Sequence, residues 1–504
     1  SLGWALIVPL LAGFSAWLMC TVQNRANVLQ SEQSKTAQWT SLLLSVGLSL
    51  YLGLFVPIGV GVYWIFGNFY AILQLSLLNL VISPKKEVDF ADLEDSRAEL
   101  LALQQIGGPK KKWFQKDQND RREKADYKRF FSIANKKLVF YSERSGYYKY
   151  FKTTIESLLL KSNITIHYIT SDPDDAIFDL ATTHPQIKPY YIGEKKLIFL
   201  MMKMDADVVV TTLPDLNQFH LKRSYVRDDV HYVYLPHDML STTMTFLKGA
   251  FDYYDAIMCV GQHQINELRE SESIYHLPEK ALIPYGYGLL EGLLETYQNN
   301  HVPHDGPPKI LIAPSWQFDN IFDSCLDELI ESLMEEDYQL ILRPHPEYCK
   351  RFGAKMARIV EKYPKERYPQ IEIELDFSSN HSIYSSDLLI TDWSKIAYEF
   401  SFCTLKPSLF INTKPKILNV DHERYTNIST EITLRDKVGI SLEKSEVNTA
   451  NTAVKSLLET QSFRDQILEV RDQTIFNLGK SGEMSANYLL TYLKNKSTQK
   501  KESK

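Results

Sequence analysis

Cysteine is scarce in this sequence and never paired. The five cysteines, Cys20, Cys259, Cys325, Cys349 and Cys403, are scattered along the chain and show no CxxC spacing. That argues against a disulfide framework and a zinc site, fits a reducing compartment, and leaves the thiols as small buried hydrophobes. A charge excess is also missing. Lys+Arg 56 against Asp+Glu 62 gives a net charge of −6, so bulk electrostatics point to no nucleic-acid partner. The first apolar run has neither a basic start nor a cleavage site, so it does not read as a secretory signal. Clustered carboxylates are absent as well, so the sequence requires no metal and no cofactor.

What the chain has in excess is apolar residues at its start. Leu2 to Val22 is apolar apart from Ser15 and Thr21, and its length of about 20 residues matches the hydrocarbon thickness of a bilayer. A polar loop from Gln23 to Gln38 carries Arg25 and Lys35. Trp39 to Ile82 is then apolar for about 44 residues, enough for two spans that turn at Pro57 and Gly59. Three spans put Arg25, Lys35, Lys85 and Lys86 on one side, and positive charge marks the cytoplasmic side. Residues 1–84 are therefore expected to be a multi-pass anchor in the cell membrane, with everything after Ile82 in the cytoplasm. PLLAGFSAWL (Pro9 to Leu18) and PIGVGVYWIFGNFYAILQ (Pro57 to Gln74), with Tyr63-Trp64 and Asn68, resemble the last spans of the YidC-type membrane protein insertase family. The family's earlier spans and groove arginine are missing, so the resemblance implies an anchor rather than a working insertase. The opening on Ser1 rather than Met fits a piece of a longer insertase fusion.

Residues 85–136 form a charged linker. Glu87 to Glu99 is acidic, Lys110 to Lys137 is basic, and Gly107-Gly108-Pro109 breaks any helix between them. The basic part suits either an anionic lipid surface or plain solvation. After Lys137 short apolar β-rich runs alternate with helical stretches. LVFYS (Leu138 to Ser142), ITIHYIT (Ile164 to Thr170), DVVVTT (Asp207 to Thr212), VHYVYLPH (Val230 to His237) and AIMCVG (Ala256 to Gly261) make a first set. HVPHDGPPK (His301 to Lys309) interrupts the pattern. KILIAPS (Lys309 to Ser315), YQLILRPHP (Tyr338 to Pro346), IEIEL (Ile371 to Leu375), DLLITD (Asp387 to Asp392) and PSLFIN (Pro407 to Asn412) make a second. The expected fold class is α/β, with two doubly wound Rossmann-like domains, an N-terminal one over 137–303 and a C-terminal one over 304–495. A disordered tail is expected over 496–504.

In such sheets ligands bind beyond the carboxyl ends of the strands. His237 follows VYLP there, Ser315 follows ILIAP, Arg343 and His345 stand in Arg-Pro-His-Pro, and Thr391, Asp392 and Ser394 follow DLLI. An arginine fork suits phosphate oxygens, and the flanking prolines fix the direction of His345. Ser394 or Asp392 is a natural N-cap for the helix that follows, whose N-terminus would offer amides to a phosphate. His237 suits a general base, although a histidine at a strand end is as often structural.

Taken together, the strand-end histidine, RPHP and SDLLITDWSKIAYEF resemble the CDP-glycerol glycerophosphotransferases, which include teichoic-acid polymerases of GT-B fold. The resemblance covers roughly Lys137 to Leu490 and implies transfer of glycerol phosphate, or a related polyol phosphate, from a CDP-linked donor with release of CMP. It casts His237 as the base, His345 as the histidine that meets the donor phosphates, and Thr391, Asp392 and Ser394 as the donor-binding turn. The implied partners are the CDP-linked donor, a lipid-linked or membrane-proximal acceptor, and the membrane itself. Asp238 stands where the family often has glycine, and Trp393-Ser394-Lys395 replaces its usual Tyr-Ser-Ser. A GT-B glycosyltransferase using a nucleotide sugar and a membrane insertion factor are the competing readings.

Overall fold

The computed structural model describes residues 2–26, 35–81, 118–143, 145–219, 221–300, 305–375 and 381–502. Lys85 and Lys86, most of the linker, and His301 and His304 at the expected domain boundary lie outside these residues. The chain divides into two compact units, Ser1–Lys110 and Lys111–Lys504.

The first unit contains helices Leu2–Ala26, Lys35–Phe55 and Ile58–Val81. The break between the last two falls at Pro57, as the sequence implies. Two stretches, Ile7–Asn24 and Ile58–Leu78, are long and apolar enough to cross a membrane, whereas the apolar stretch Trp39–Phe55 is shorter. Small residues let the helices approach closely: Ala12, Ser15 and Ala16 are buried, and Asn68 Nδ2 donates to Ser15 Oγ at 3.0 Å. The outward side chains are large and apolar, with Leu44, Phe55, Ile58 and Tyr63 70–73 % exposed. Contiguous apolar surface of this kind needs lipid or protein against it.

The second unit holds two parallel sheets. The first comprises β1 (Lys136–Ser142), β2 (Ile166–Thr170), β3 (Ile187–Tyr191), β4 (Ala206–Thr211), β5 (His231–Tyr234), β6 (Ala256–Cys259) and β7 (Ala281–Pro284). The second comprises β8 (Lys309–Ile312), β9 (Gln339–Leu342), β10 (Ile371–Ile373), β11 (Leu388–Thr391), β12 (Ser408–Asn412) and β13 (Gly439–Glu443). Their orders are β3-β2-β1-β4-β5-β6-β7 and β10-β9-β8-β11-β12-β13. This is the doubly wound α/β architecture expected of a GT-B type chain. Each sheet reverses its strand order once, between β1 and β4 and between β8 and β11, and ligands bind at such switch points. Central strands are buried on both faces, so β4 is buried at every position and has Val208-Val209-Val210 at its centre. The helix Tyr148–Lys161 covers the first sheet with Phe151, Thr154, Ile155 and Leu158, spaced i, i+3, i+4 and i+7. Each large apolar side chain fully buried in this way stabilises the fold by about 1.5–3 kcal/mol.

Two expected boundaries need correction. The linker does not reach 136 unstructured: helix Gln118–Phe131 packs on β3, Arg122 donates to Pro173 O at 2.7 Å, and its guanidinium lies 3.8 Å from the Phe178 ring centroid. Part of the basic run is thus committed to the fold. The tail from 496 is not disordered up to Glu502, because helix Ser481–Glu502 includes it. That helix also leaves the C-terminal half and packs on the N-terminal one. Ala486, Leu489 and Leu493 join its core, His231 stacks on Tyr492 with centroids 3.9 Å apart, and Lys500 pairs with Asp207 at 2.8 Å. The last helix is held there because its apolar stripe and its cations both find partners on the first sheet.

Candidate active site

The carboxyl ends of the two sheets face one cleft of about 550 Å³. Strand β5 is extended by the bond from Leu235 N to Thr211 O at 2.9 Å, and this delivers His237 to the cleft wall. On the other side Arg343 N donates to Ile312 O at 2.9 Å and Ala313 N to Ile390 O at 3.0 Å, which carry the RPHP tetrad and Ser315 forward. His237, Ser315, Arg343, His345 and Ser394 all line this cleft.

Thr391 and Asp392 do not. Thr391 Oγ1 donates to Ala313 O at 2.6 Å, and Asp392 is fully buried. The Asp392 carboxylate accepts from Ser315 N at 2.8 Å, Trp393 N at 2.6 Å and Ile321 N at 3.3 Å. It shapes the turn from behind, and burial raises its pKa. Neither Asp392 nor Ser394 caps the helix Ile396–Thr404, whose cap position is taken by Lys395 with no side-chain bond to the helix's own amides.

Arg343 reaches the cleft but its guanidinium is engaged. Nη1 donates to Glu374 Oε1 at 2.5 Å and to Ser382 Oγ at 2.8 Å, in a site where Arg343 is 8 % exposed. His345 Nδ1 accepts from Glu347 N at 3.1 Å, which leaves the ring hydrogen on Nε2 as a donor. Burial first, then Lys395, Lys416 and Lys149, push its pKa down to about 3. His237 Nδ1 meets the Tyr234 hydroxyl at 2.9 Å. Burial and then Lys395 lower its pKa to about 4, against the opposite pull of Asp238 and the Thr212 backbone. Both imidazoles are therefore neutral at physiological pH. For His237 to accept a proton at Nε2, Nδ1 must carry its hydrogen and donate to the Tyr234 oxygen.

Trp316, which follows Ser315 at the end of ILIAP, lines the cleft as well, and so do Tyr150, Lys395 and Lys416, to which the sequence assigned no role. Lys416 Nζ lies 5.2 Å from the Trp316 ring centroid, and burial lowers its pKa. Lys395 remains a cation: burial opposes its charge, but Tyr150, Asp238 and Glu399 outweigh that and raise its pKa. The signal for Lys395 stood beside Ser394 in the motif; Tyr150 and Lys416 carried none. The site therefore places neutral imidazoles from both halves near a buried ammonium, which suits an anionic ligand and a proton acceptor without competing charge.

The loop after His237 is pinned by two buried carboxyls. Thr242 N donates to Glu267 Oε2 at 2.6 Å, and Ser241 N to Glu431 Oε2 at 3.2 Å. Burial, with Glu267 beside it, raises the Glu431 pKa to about 8, above the ordinary 4.5. The neutral form is thus the stable one: its contribution is complete below about pH 4.5 and is lost as pH rises through about 8. Glu431→Gln, which cannot ionise, is expected to melt like wild type at pH 5. At pH 9 it should melt higher by an amount worth a few kcal/mol, at about 1.4 kcal/mol per pKa unit. Melting curves that stay parallel over this range would show that the carboxyl ionises freely.

The family model described as CDP-glycerol:poly(glycerophosphate) glycerophosphotransferase matches residues 124–431. No curated protein matches the chain. Among solved structures, the wall teichoic acid polymerase TagF is 14 % identical with a TM-score of 0.48, covering 75 % of this chain and 95 % of that one. A UDP-N-acetylglucosamine 2-epimerase is 12 % identical with a TM-score of 0.43, covering 70 % and 94 %. A glycosyltransferase from Rickettsia africae is 15 % identical with a TM-score of 0.41, covering 72 % and 100 %. The family match begins in the helix before β1, ends beside Thr430 and contains every residue of the cleft named above; the apolar helices lie outside it. Over that span, more than half its length, the chain belongs to the CDP-glycerol:poly(glycerophosphate) glycerophosphotransferase family.

Proposed function

We propose that this protein transfers glycerol phosphate, or a related polyol phosphate, from a CDP-linked donor to an acceptor hydroxyl, in the synthesis of a cell-wall or surface polymer. The observation that carries the reading is the pairing of His237 and His345 across one cleft, each neutral and each from a different half. The donor's phosphates lie against the His345 Nε2–H, the Ser394 turn and the nearby ammonium groups. The acceptor hydroxyl gives its proton to His237 Nε2 while its oxygen attacks the phosphorus that bears the polyol. The bond from that phosphorus to the CMP oxygen breaks, and CMP leaves with the electron pair. Positioning and charge stabilisation carry most of such a displacement. The reading assigns no metal and no cofactor; the CDP-linked polyol is a substrate.

The apolar helices support a membrane anchor, resembling the end of an insertase, and with it a lipid-linked or membrane-proximal acceptor. Positive charge beside the spans supports a cytoplasmic catalytic unit. A reporter fused after Lys137 is expected to be active only in the cytoplasm; activity only outside would reverse the orientation.

The test of the reaction is a screen of the purified full chain against CDP-glycerol, CDP-ribitol and common UDP-sugars. Release of CMP is the expected result. Release of a nucleoside diphosphate would mark a sugar transferase, and binding of no nucleotide donor would favour the assembly-factor reading.

A further inference from the structure

Residue 395 stands in the turn that opens helix Ile396–Thr404, in the C-terminal half, yet its side chain belongs to the opposite wall. Lys395 Nζ crosses the cleft, donates to the His237 carbonyl oxygen at 2.5 Å, and lies 3.4 Å from the Tyr150 hydroxyl and 5.5 Å from that ring's centroid. The same carbonyl accepts a second bond from the Tyr287 hydroxyl at 3.2 Å, and that hydroxyl also lies 3.4 Å from Glu399 Oε1. Two donors thus hold the backbone of His237, and one of them is a cation supplied by the other half.

We propose that Lys395 is a positioning residue for the transfer: from across the cleft it fixes the backbone that carries His237, and from the same place it sets positive charge beside the donor's phosphates. The proposal rests on the glycerophosphotransferase reading and deepens it. Orientation of the base, approximation of the two halves and recognition of an anionic donor then depend on one side chain. A lysine suits the place because four flexible methylenes reach across the cleft while the ammonium keeps three donors, of which the His237 carbonyl takes one.

The charge also acts on both histidines. Around His237 stand Tyr150, Tyr234 and Tyr287, the acids Asp238 and Glu399, and the cations Lys395 and Lys416. Around His345 stand Lys149, Lys395 and Lys416. Removing the nearest cation leaves Asp238 facing His237 with less opposition, so its protonation becomes easier and its pKa moves up toward the ordinary 6.5.

The test compares Lys395→Met, of similar length and uncharged, with Lys395→Arg, which keeps the charge, in the full chain. Lys395→Met is expected to lose about 10- to 100-fold in kcat/KM with CDP-glycerol, the loss of one charge-assisted bond. The acid limb of its pH–rate profile should move upward, and Lys395→Arg should keep the limb low and recover part of the rate. A second readout needs no turnover: the rate at which diethyl pyrocarbonate modifies His237 and His345, followed by peptide mass spectrometry. Between about pH 5 and 7 wild type should react at a constant rate, and Lys395→Met should react more slowly as pH falls. If wild type releases no CMP, the proposed reaction fails while the modification series still decides the role of Lys395. If folded Lys395→Met shows neither a shifted limb nor a shifted modification profile, Lys395 is a structural contact and the proposal is overturned.

Discussion

His237→Ala is expected to lower turnover by about 10²–10⁴-fold, the contribution of a general base, while donor affinity stays unchanged. The division follows from where the two histidines stand. His237 follows β5 in the N-terminal half, the side proposed for the acceptor, and its Nδ1 is held by Tyr234. His345 stands in the C-terminal half, the one proposed to hold the donor, so His345→Ala should weaken the donor complex as well as the rate. The pH dependence sharpens the test. A free histidine would lose its function as a base as pH drops through 6.5, but burial and Lys395 hold His237 down near 4. The acid limb of kcat/KM is therefore expected near pH 4, with activity flat from there through neutrality, provided the fold survives. The measurement is a pH–rate series on both variants, with nucleotide binding by calorimetry and circular dichroism to establish folding. Near-normal turnover in folded His237→Ala would make His237 structural, and Asp238, which lines the same cleft, would be the next residue to test.

The second large effect is on stability. Arg343→Ala is expected to cost about 3–5 kcal/mol, because it strands a buried partner rather than because it removes attraction. Glu374 is tied to Arg343 at 2.5 Å, and its other oxygen is buried without a partner. Without the guanidinium a largely buried carboxylate would remain uncompensated just after β10. Arg343→Ala/Glu374→Ala should recover much of the loss, since both charges then go together. Thermal unfolding of the single and double variants, alongside nucleotide binding, separates two roles. A loss of melting temperature that the double variant reverses supports a structural ion pair. An unchanged melting temperature with weakened nucleotide binding would return Arg343 to direct phosphate contact.

The sequence by itself determined a good deal. Apolar β-rich runs separated by helical stretches implied two parallel sheets, and ten of the thirteen strands lie where such runs stand. The three that were not read, β3, β7 and β13, are all edge strands. An edge strand pairs on one side only and is less buried, as β7 shows with both of its end residues exposed, so its apolar signal is weak. The break at Pro57 was legible because proline cannot continue a helix. The strand-end positions of His237, Ser315, Arg343, His345 and Ser394 were legible because a doubly wound sheet exposes the carboxyl ends of its strands.

Only the tertiary structure decided which of those residues face the cleft. Thr391 and Asp392 belong to the same motif as Ser394, yet they turn inward, because the turn's own amides need an acceptor and Asp392 supplies it. Arg343 is tied to Glu374 through a contact between residues 31 positions apart, which no local pattern encodes. The Lys395 ammonium meets the His237 carbonyl across 158 positions, and Tyr150 joins them from a third element. The final helix returns to the first sheet for the same reason: the surface that buries Ala486, Leu489 and Leu493 is made by segments far away in the chain. Periodicity states which residues must be buried or paired; the partner is fixed only when distant segments meet.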